Sequence, residues 1–177
     1  MFLANGFEEV EAIAPVDILR RAGIDVKTVA VNAAADGKNV TGAHGITVTA
    51  DLDTDSIEEN FDMIVLPGGM PGTLNLEKSA AVQKCIDYAV KSGALIAAIC
   101  AAPSILGHKG LLRGKKAVCY PGYEKDLEGA SVMSSQVCED GKIITGNGPG
   151  AAFAFGLLLA ARLGGDADKV KNGMLYI

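Results

Sequence analysis

Short apolar runs alternate with longer amphipathic segments along nearly the whole chain. The apolar runs predict strands at residues 1–5, 25–31, 63–66, 95–99, 115–119 and 142–145. Apolar positions that recur every three to four residues predict helices at residues 8–22, 79–92, 101–109 and 151–163. The first helix is expected to bend at Pro15 and to stop at Gly23.

This order of elements predicts the architecture. Strands 63–66 and 95–99 are apolar throughout, which is typical of parallel strands buried on both faces. Strands that alternate with helices favour a mainly parallel sheet with right-handed crossovers and helices on both faces. Residues 40–50 alternate apolar and polar positions and predict a small hairpin beside that sheet. We therefore expect one doubly wound α/β domain over residues 1–177.

Composition and charge exclude several classes of protein. Hydrophobic residues make up 49% and charged residues 21% of the 177 positions, as in a globular domain with its own core. A formal net charge of -5, without a basic stripe, argues against a nucleic-acid partner. The apolar run 151–161 is too short to span a bilayer, and residues 1–5 lack the features of a signal peptide. We expect no membrane partner and a cytoplasmic location.

The cysteines and histidines do not form a metal-ligand pattern. The four cysteines are dispersed without a C-x-x-C pair, and the chain has only two histidines, His44 and His108. No metal is therefore expected. His44 is placed in the predicted hairpin turn and His108 at the end of the helix after Cys100, and neither is expected to act in catalysis. The other three cysteines are expected to be packed as small hydrophobic residues.

Three chain segments are predicted to meet at one edge of the sheet. In open parallel sheets, ligands bind outside the carboxyl ends of the strands. The first strand leads into Gly-Phe-Glu-Glu-Val-Glu at 6–11, the strand 63–66 leads into Pro-Gly-Gly-Met-Pro-Gly at 67–72, and the strand 95–99 ends at Cys100. Carboxylates, free backbone N–H groups and a thiol are thereby expected in one place.

Cys100 occupies a predicted strand-to-helix turn that resembles a nucleophile elbow. Such a turn projects its side chain outward and needs small neighbours, and Ala101 and Ala102 are small. The start of the following helix favours a thiolate, and backbone N–H groups of Gly68, Gly69 and Ala101 are candidates to hold an oxyanion. A cysteine at the end of an apolar strand can also be simple packing, and its position alone does not decide between the two.

A second glycine-rich stretch matches a nucleotide-binding pattern only formally. Residues 146–151 read Gly-Asn-Gly-Pro-Gly-Ala, which satisfies G-x-G-x-x-A. The acidic strand end that should follow the helix is missing, and Pro149 lacks an N–H for a pyrophosphate. We therefore expect a tight turn here and no nucleotide cofactor.

Four motifs together resemble the DJ-1/ThiJ/PfpI superfamily. They are Ala-Ile-Cys-Ala-Ala-Pro at 98–103, the 6–11 stretch, Val-Leu-Pro-Gly-Gly at 65–69 and Gly-Pro-Gly at 148–150, and residues 15–23 are similar to the DJ-1 branch. The resemblance implies a flavodoxin-like fold, a homodimer, no cofactor and a redox-sensitive cysteine at the elbow. It assigns Cys100 as the nucleophile and Glu11 as the glutamate that hydrogen-bonds it.

Physical chemistry limits the role of Glu11 in that assignment. A neutral carboxyl that donates to the sulfur lowers the thiol pKa, whereas a carboxylate beside the sulfur raises it. The alternative is that Glu11 only complements the positive end of the first helix, and this second role is the one expected for Glu8 and Glu9.

The chain departs from parts of the superfamily at two positions. Tyr120 stands before Pro121, where some relatives of DJ-1 have a histidine. Ala101 follows the cysteine, where the PfpI peptidase-like branch has a histidine, and this argues against a peptidase.

The resemblance implies a cysteine-dependent, cofactor-independent enzyme that acts on reactive carbonyls or glycated adducts, as a glyoxalase or a deglycase. Cys100 would add to the aldehyde, Gly68, Gly69 and Ala101 would hold the oxygen, and Glu11 would move protons. The alternative is a non-enzymatic oxidative-stress sensor or chaperone in which Cys100 is oxidised to a sulfinate. A peptidase or an amidotransferase-like hydrolase is the weaker third hypothesis.

Overall fold

The computed structural model describes residues 1–31 and 37–176, and within them strands alternate with helices. The strands are β1 (Phe2–Ala4), β2 (Val29–Val31), β3 (Asn39–Thr41), β4 (Thr47–Thr49), β5 (Leu52–Asp53), β6 (Met63–Leu66), β7 (Leu95–Ile99), β8 (Lys116–Ala117), β9 (Ser131–Val132), β10 (Val137–Asp140) and β11 (Ile143–Gly146). The helices are α1 (Glu9–Arg21), α2 (Gly72–Lys78), α3 (Ala80–Ser92), α4 (Pro103–His108), α5 (Ala152–Arg162) and α6 (Ala167–Gly173).

Parallel pairing dominates the central layer. Strands β1, β2 and β5 pair in the order β1-β2-β5, and these pairs are parallel. A second sheet has the order β10-β11-β7-β6, in which β7 pairs in parallel with both neighbours and the outer β10 is antiparallel. Strand β1 lies beside β6, which brings the two sheets together. The predicted mainly parallel α/β architecture is confirmed.

Helices cover both faces of this layer. Because successive strand residues point to opposite faces, Ile96 packs in an apolar cluster with Ile86 of α3, while the adjacent Ala97 belongs to a cluster with Leu19 of α1 and Phe155 of α5. Burying a Leu, Ile or Phe side chain contributes about 1.5–3 kcal/mol. Two-faced burial is therefore what holds the central strands.

The hairpin and the first helix form where they were predicted. Strands β3 and β4 pair antiparallel, with Val40 opposite Val48. Helix α1 runs through Pro15 and ends just before Gly23, whose φ of 77° suits a glycine.

Several elements differ from the predictions. Helices α2 and α6 and strand β10 were not predicted. Strand β2 begins at Val29 rather than at residue 25, because the Asp51 carboxylate accepts from the Thr28 N–H at 2.7 Å and from its hydroxyl at 2.8 Å. The expected strand 115–119 shrinks to β8, which pairs with β9 instead of the main sheet. Val118 donates its N–H to the Thr145 hydroxyl rather than to a strand carbonyl.

The carboxyl ends of β1, β6 and β7 lead directly into the three segments that carry the candidate site residues, namely 6–11, 67–72 and Cys100. None of the helices within 1–31 and 37–176 combines the length and the apolar character needed to cross a bilayer.

Candidate active site

Cys100 lies directly after β7 with its backbone in the left-handed region. Its φ is 66°, which costs a non-glycine residue about 1–2 kcal/mol. Two backbone hydrogen bonds hold this conformation: Cys100 N–H donates to the Gly146 carbonyl at 2.9 Å, and Tyr120 N–H donates to the Cys100 carbonyl at 2.8 Å. The residue is almost entirely buried, with 9% of its surface exposed.

The turn after Cys100 has the form of an elbow. Ala102 N–H donates back to the Ile99 carbonyl at 3.1 Å, and the Ser104 hydroxyl donates to the Ala101 carbonyl at 2.7 Å. Helix α4 then begins at Pro103, a residue whose missing N–H costs nothing at a helix start. Ala101 and Ala102 are buried, in agreement with the prediction that small residues flank the turn.

Glu11 reaches the thiol from the first turn of α1. It is fully buried, and its Oε2 accepts from the Gly68 N–H at 2.9 Å. Its carboxyl interacts with the Cys100 thiol, yet among the described residues no group meets hydrogen-bond geometry at Oε1. A Cβ at position 68 would lie 2.6 Å from both Cys100 Cβ and Glu11 Oε2. Only glycine permits this approach.

Burial dominates the electrostatics of the pair. Burial raises the pKa of Glu11 to about 7, and the negative charge of Glu8 acts in the same direction. Burial, and then the Glu11 carboxylate, raise the pKa of Cys100 to about 12. The N–H groups of Ala101 and Gly69 act in the opposite direction. The predicted stabilisation of the thiolate is thus present in these two donors but is outweighed by burial and by the Glu11 carboxylate.

The three predicted oxyanion donors divide into two groups. The N–H groups of Gly69 and Ala101 face the Cys100 sulfur. The N–H of Gly68 instead donates to Glu11, so it is not available for the oxyanion that it was predicted to hold. Gly68 orients the carboxyl rather than the reacting atoms.

Glu9 has a role that the sequence analysis did not anticipate. Its buried carboxylate accepts from the His44 N–H at 2.8 Å, from the His44 ring Nδ1 at 2.9 Å and from the Ile46 N–H at 3.4 Å. The prediction that Glu9 only complements the helix start is therefore wrong, because its carboxylate fastens the hairpin turn to α1. No local signal marks this contact, since Glu9 and His44 are 35 positions apart.

Glu8 and His44 form a polar group together with Glu9. The Glu8 carboxylate lies 3.6 Å from His44 Nδ1. Within the described part of the chain, Glu8, Glu9 and His44 are the group whose donor atoms, all within 4.8 Å of one another, have the spacing to hold a cation.

The remaining candidate residues lie around the elbow or engage other partners. Tyr120 is half-exposed, and its ring packs over Gly148. The ring nitrogens of His108 lie 2.6 Å from Glu77 Oε1 and 3.6 Å from Asp126 Oδ1. The glycine-rich stretch 146–151 forms the end of β11 and a short 3₁₀ turn into α5, as expected for a tight turn.

Comparison with known proteins identifies the family of the chain. The model of the DJ-1/PfpI family matches residues 1–162. The chain is 40% identical to Protein DJ-1 homolog B of Arabidopsis thaliana over 96% of its own length and 39% of that protein. It is 35% identical to a deglycase of Pyrococcus horikoshii, over 86% of this chain and 90% of that one. It is 32% identical to a glutathione-independent glyoxalase of Caenorhabditis elegans, over 89% and 83%.

Solved structures agree with the sequence matches. Oxidized DJ-1 of Toxoplasma gondii superposes with a TM-score of 0.92 at 37% identity, over 99% of this chain and 96% of that one. DJ-1beta of Drosophila melanogaster superposes with a TM-score of 0.91 at 35% identity, over 99% and 96%. The chain spans less than half the length of the Arabidopsis relatives, 39% of homolog B and 45% of homolog A.

Proposed function

Because the chain belongs to the DJ-1/PfpI family, we propose that it is a cysteine-dependent enzyme that converts reactive carbonyls without a cofactor. The substrates are small 2-oxoaldehydes such as methylglyoxal, or the adducts that these form with amines and thiols. One observation carries the proposal: a buried carboxyl touches the Cys100 thiol, and two backbone N–H groups face the same sulfur. The relatives named as a deglycase and as a glutathione-independent glyoxalase support this choice of substrate.

The first step is addition of sulfur to the aldehyde. The thiol proton passes to the Glu11 carboxylate, and the sulfur electron pair forms a C–S bond to the aldehyde carbon. The carbonyl electrons move to oxygen, which accepts hydrogen bonds from the Gly69 and Ala101 N–H groups and then takes the proton from Glu11. A carboxyl whose pKa is raised to about 7 suits both directions of this transfer near neutral pH.

The second step moves hydrogen within the bound substrate. Glu11 removes the proton from the hemithioacetal carbon, and the resulting enediol is protonated on the neighbouring carbon to give a thioester. Water then cleaves the thioester, releasing a 2-hydroxy acid and the free thiol. One carbon is oxidised and its neighbour is reduced. The overall reaction converts the dicarbonyl and one water into the 2-hydroxy acid, and it consumes no external oxidant.

Methylglyoxal consumption tests the proposal directly. Cys100→Ala should abolish it, and Glu11→Gln should reduce it by about 10²–10⁴-fold, the usual contribution of a positioned acid–base group. His108→Gln is the matched control, because that histidine pairs with Glu77 instead of the thiol, and its activity should equal wild type. Consumption that survives in Cys100→Ala would overturn the proposal.

We also propose that residues 1–177 form one domain that pairs with a second copy, in the cytoplasm. Residues 32–36 and 177 of that span lie outside the described residues. The apolar residues of α1 fall into two sets: Val16 and Leu19 belong to the core, while Val10 and Ile13 are 45% and 40% exposed. Ile13→Glu should convert a dimer to a monomer in light scattering. An unchanged mass would remove α1 from the pairing surface.

A redox-sensing role is the second candidate. The N–H groups at the Cys100 sulfur can also stabilise a sulfinate, and the similar structure of Toxoplasma gondii DJ-1 is described as oxidized. Two peroxide molecules would each deliver one oxygen atom to the sulfur and leave as water. Intact-mass measurement after dilute peroxide should show a two-oxygen adduct in wild type and none in Cys100→Ala. An equal adduct in both would exclude this role.

A further inference from the structure

Glu8 directly precedes α1 and differs from Glu9 and Glu11 because no donor among the described residues hydrogen-bonds its carboxylate. Glu9 is fully used by the hairpin turn, and Glu11 Oε2 is held by Gly68. In residues 1–31 and 37–176, no N–H or O–H donates to the Glu8 carboxylate, and its nearest cationic partner is His44 Nδ1 at 3.6 Å. The side chain is nevertheless only 15% exposed, so its charge is poorly screened by water.

The backbone of Glu8 is part of the site wall. Its N–H donates to the Gly68 carbonyl at 2.9 Å. A Cβ at position 69, the residue whose N–H faces the Cys100 sulfur, would lie 2.3 Å from the Glu8 nitrogen. The Glu8 charge also acts on the Glu11 carboxyl. Glu8 therefore contacts or acts on three residues that line the Cys100 thiol, namely Gly68, Gly69 and Glu11.

His44 is the countercharge on the same side. Both Glu8 and Glu9 approach the same ring nitrogen, at 3.6 and 2.9 Å, and these are the charged groups that act on the imidazole. One imidazolium against two carboxylates leaves a net negative charge next to the site. The ring is 67% exposed, so it weakens the field of Glu8 without cancelling it.

Glu11 Oε1 independently indicates what the site accepts. It is buried and, apart from the Cys100 thiol that the carboxyl contacts, it has no hydrogen-bond partner among the described residues. A buried acceptor left unpaired costs about 1–3 kcal/mol, so the occupant that fits offers it an O–H or N–H. A second carboxylate would bring another acceptor and another negative charge instead.

We propose that Glu8 and His44 make the Cys100 site select carbonyl compounds by charge: neutral 2-oxoaldehydes are admitted, and carbonyls that carry a carboxylate, such as 2-oxo acids, are disfavoured. This inference rests on the proposed function, because it concerns the reactants of the same thiol. Glu8 is the source of the selection, and His44 limits its strength.

Two alkylating reagents of nearly equal size measure the selection without any turnover. Iodoacetamide is neutral and iodoacetate is anionic, and the Cys100 peptide is followed by mass spectrometry. The rate with iodoacetamide is divided by the rate with iodoacetate, once in the folded protein and once in urea. The quotient of the folded ratio to the urea ratio should be about 5. Glu8→Gln should bring that quotient close to one, and His44→Gln should raise it. His108→Gln, which changes a histidine held by other carboxylates, should leave it unchanged.

Salt provides a second measurement on the unaltered protein. Raising the ionic strength from about 0.01 to 1 M shortens the screening length from about 30 to 3 Å, so the quotient should fall toward one. A quotient that is insensitive to salt and equal in wild type and Glu8→Gln would overturn the inference. A protein that consumes no methylglyoxal but shows the charge effect would contradict the proposed function alone. A third measurement is competition by an anionic carbonyl. Glyoxylate should inhibit methylglyoxal consumption more strongly in Glu8→Gln than in wild type.

Discussion

Replacing Glu11 with glutamine removes the titratable carboxyl beside the thiol while keeping the shape of the side chain. In wild type, burial raises the pKa of Glu11 to about 7 and the pKa of Cys100 to about 12. Two acids in contact release their protons in two steps that belong to the pair. One proton therefore leaves near pH 7, and the remaining one is shared between carboxyl and sulfur. The thiolate beside a neutral Glu11 is one form of that singly protonated pair.

The titration of the Glu11–Cys100 pair also sets the expected shift of the alkylation midpoint in Glu11→Gln. The population of reactive thiolate should rise with a midpoint near 7, where the pair loses its first proton. In Glu11→Gln only the thiol titrates, and burial holds its pKa at or above the free value of about 8.5. The midpoint should thus move up by at least about 1.5 pH units, equivalent to ~2 kcal/mol.

The assay is the rate of Cys100 alkylation by iodoacetamide against pH. Each protein is compared by its midpoint, because a thiolate of lower pKa is also a weaker nucleophile. A wild-type profile without a step near neutral pH would show that the proton stays on sulfur. A Glu11→Gln midpoint below that of wild type would show that the carboxylate only opposes the thiolate. Either result would refute the shared proton.

Three further predictions concern stability and the hairpin. Burial gives Glu11 a pKa of about 7 in the folded protein against an ordinary 4.5, so stability should fall as the pH rises from 4.5 to 7. That fall, on the order of 3 kcal/mol, should be absent from urea unfolding curves of Glu11→Gln. Gly68→Ala should destabilise by about 1–3 kcal/mol, because its methyl would lie 2.6 Å from Cys100 Cβ. Gly150→Ala, which has open space around it, should leave the urea midpoint unchanged. Glu9→Ala removes the acceptor of the hairpin-turn amides and should speed their hydrogen exchange by about tenfold.

Contrary outcomes are equally specific. A parallel pH dependence in Glu11→Gln and wild type would assign the loss of stability to another group. Equal urea midpoints for the two alanine variants would mean that the space at position 68 is not needed. Unchanged exchange at the hairpin turn in Glu9→Ala would mean that the strand pairing of β3 and β4 alone holds it.

Local pattern was enough for the central part of the fold. Strands β6 and β7 were predicted with their observed bounds, because a parallel strand buried on both faces is apolar at every position. The hairpin and helices α1, α3 and α5 followed from periodicity in the same way. Helices α2 and α6 lack a long apolar period because each has only seven residues. Strand β10 is half-buried along its length and lies on the antiparallel outer edge, so its pattern is weak.

The candidate site could be predicted in its parts but not in its contacts. The elbow at Cys100 follows from an apolar strand, two alanines and a proline in sequence, and the structure shows it with a positive φ at Cys100. The pairing of Glu11 with Cys100 came from the resemblance to a family, since nothing in the spacing of the two residues requires it.

Only the tertiary structure decided how the polar groups are shared out. The Gly68 N–H donates to Glu11 instead of holding an oxyanion, and the Glu9 carboxylate, at the first residue of α1, bonds His44. Both contacts are between residues of different elements, which come together only when the sheet and helices have packed. Hydrophobic periodicity depends on residues close together in the chain, so it can be recognised from the sequence alone. The choice of one acceptor among several depends on distances that the packed core alone sets.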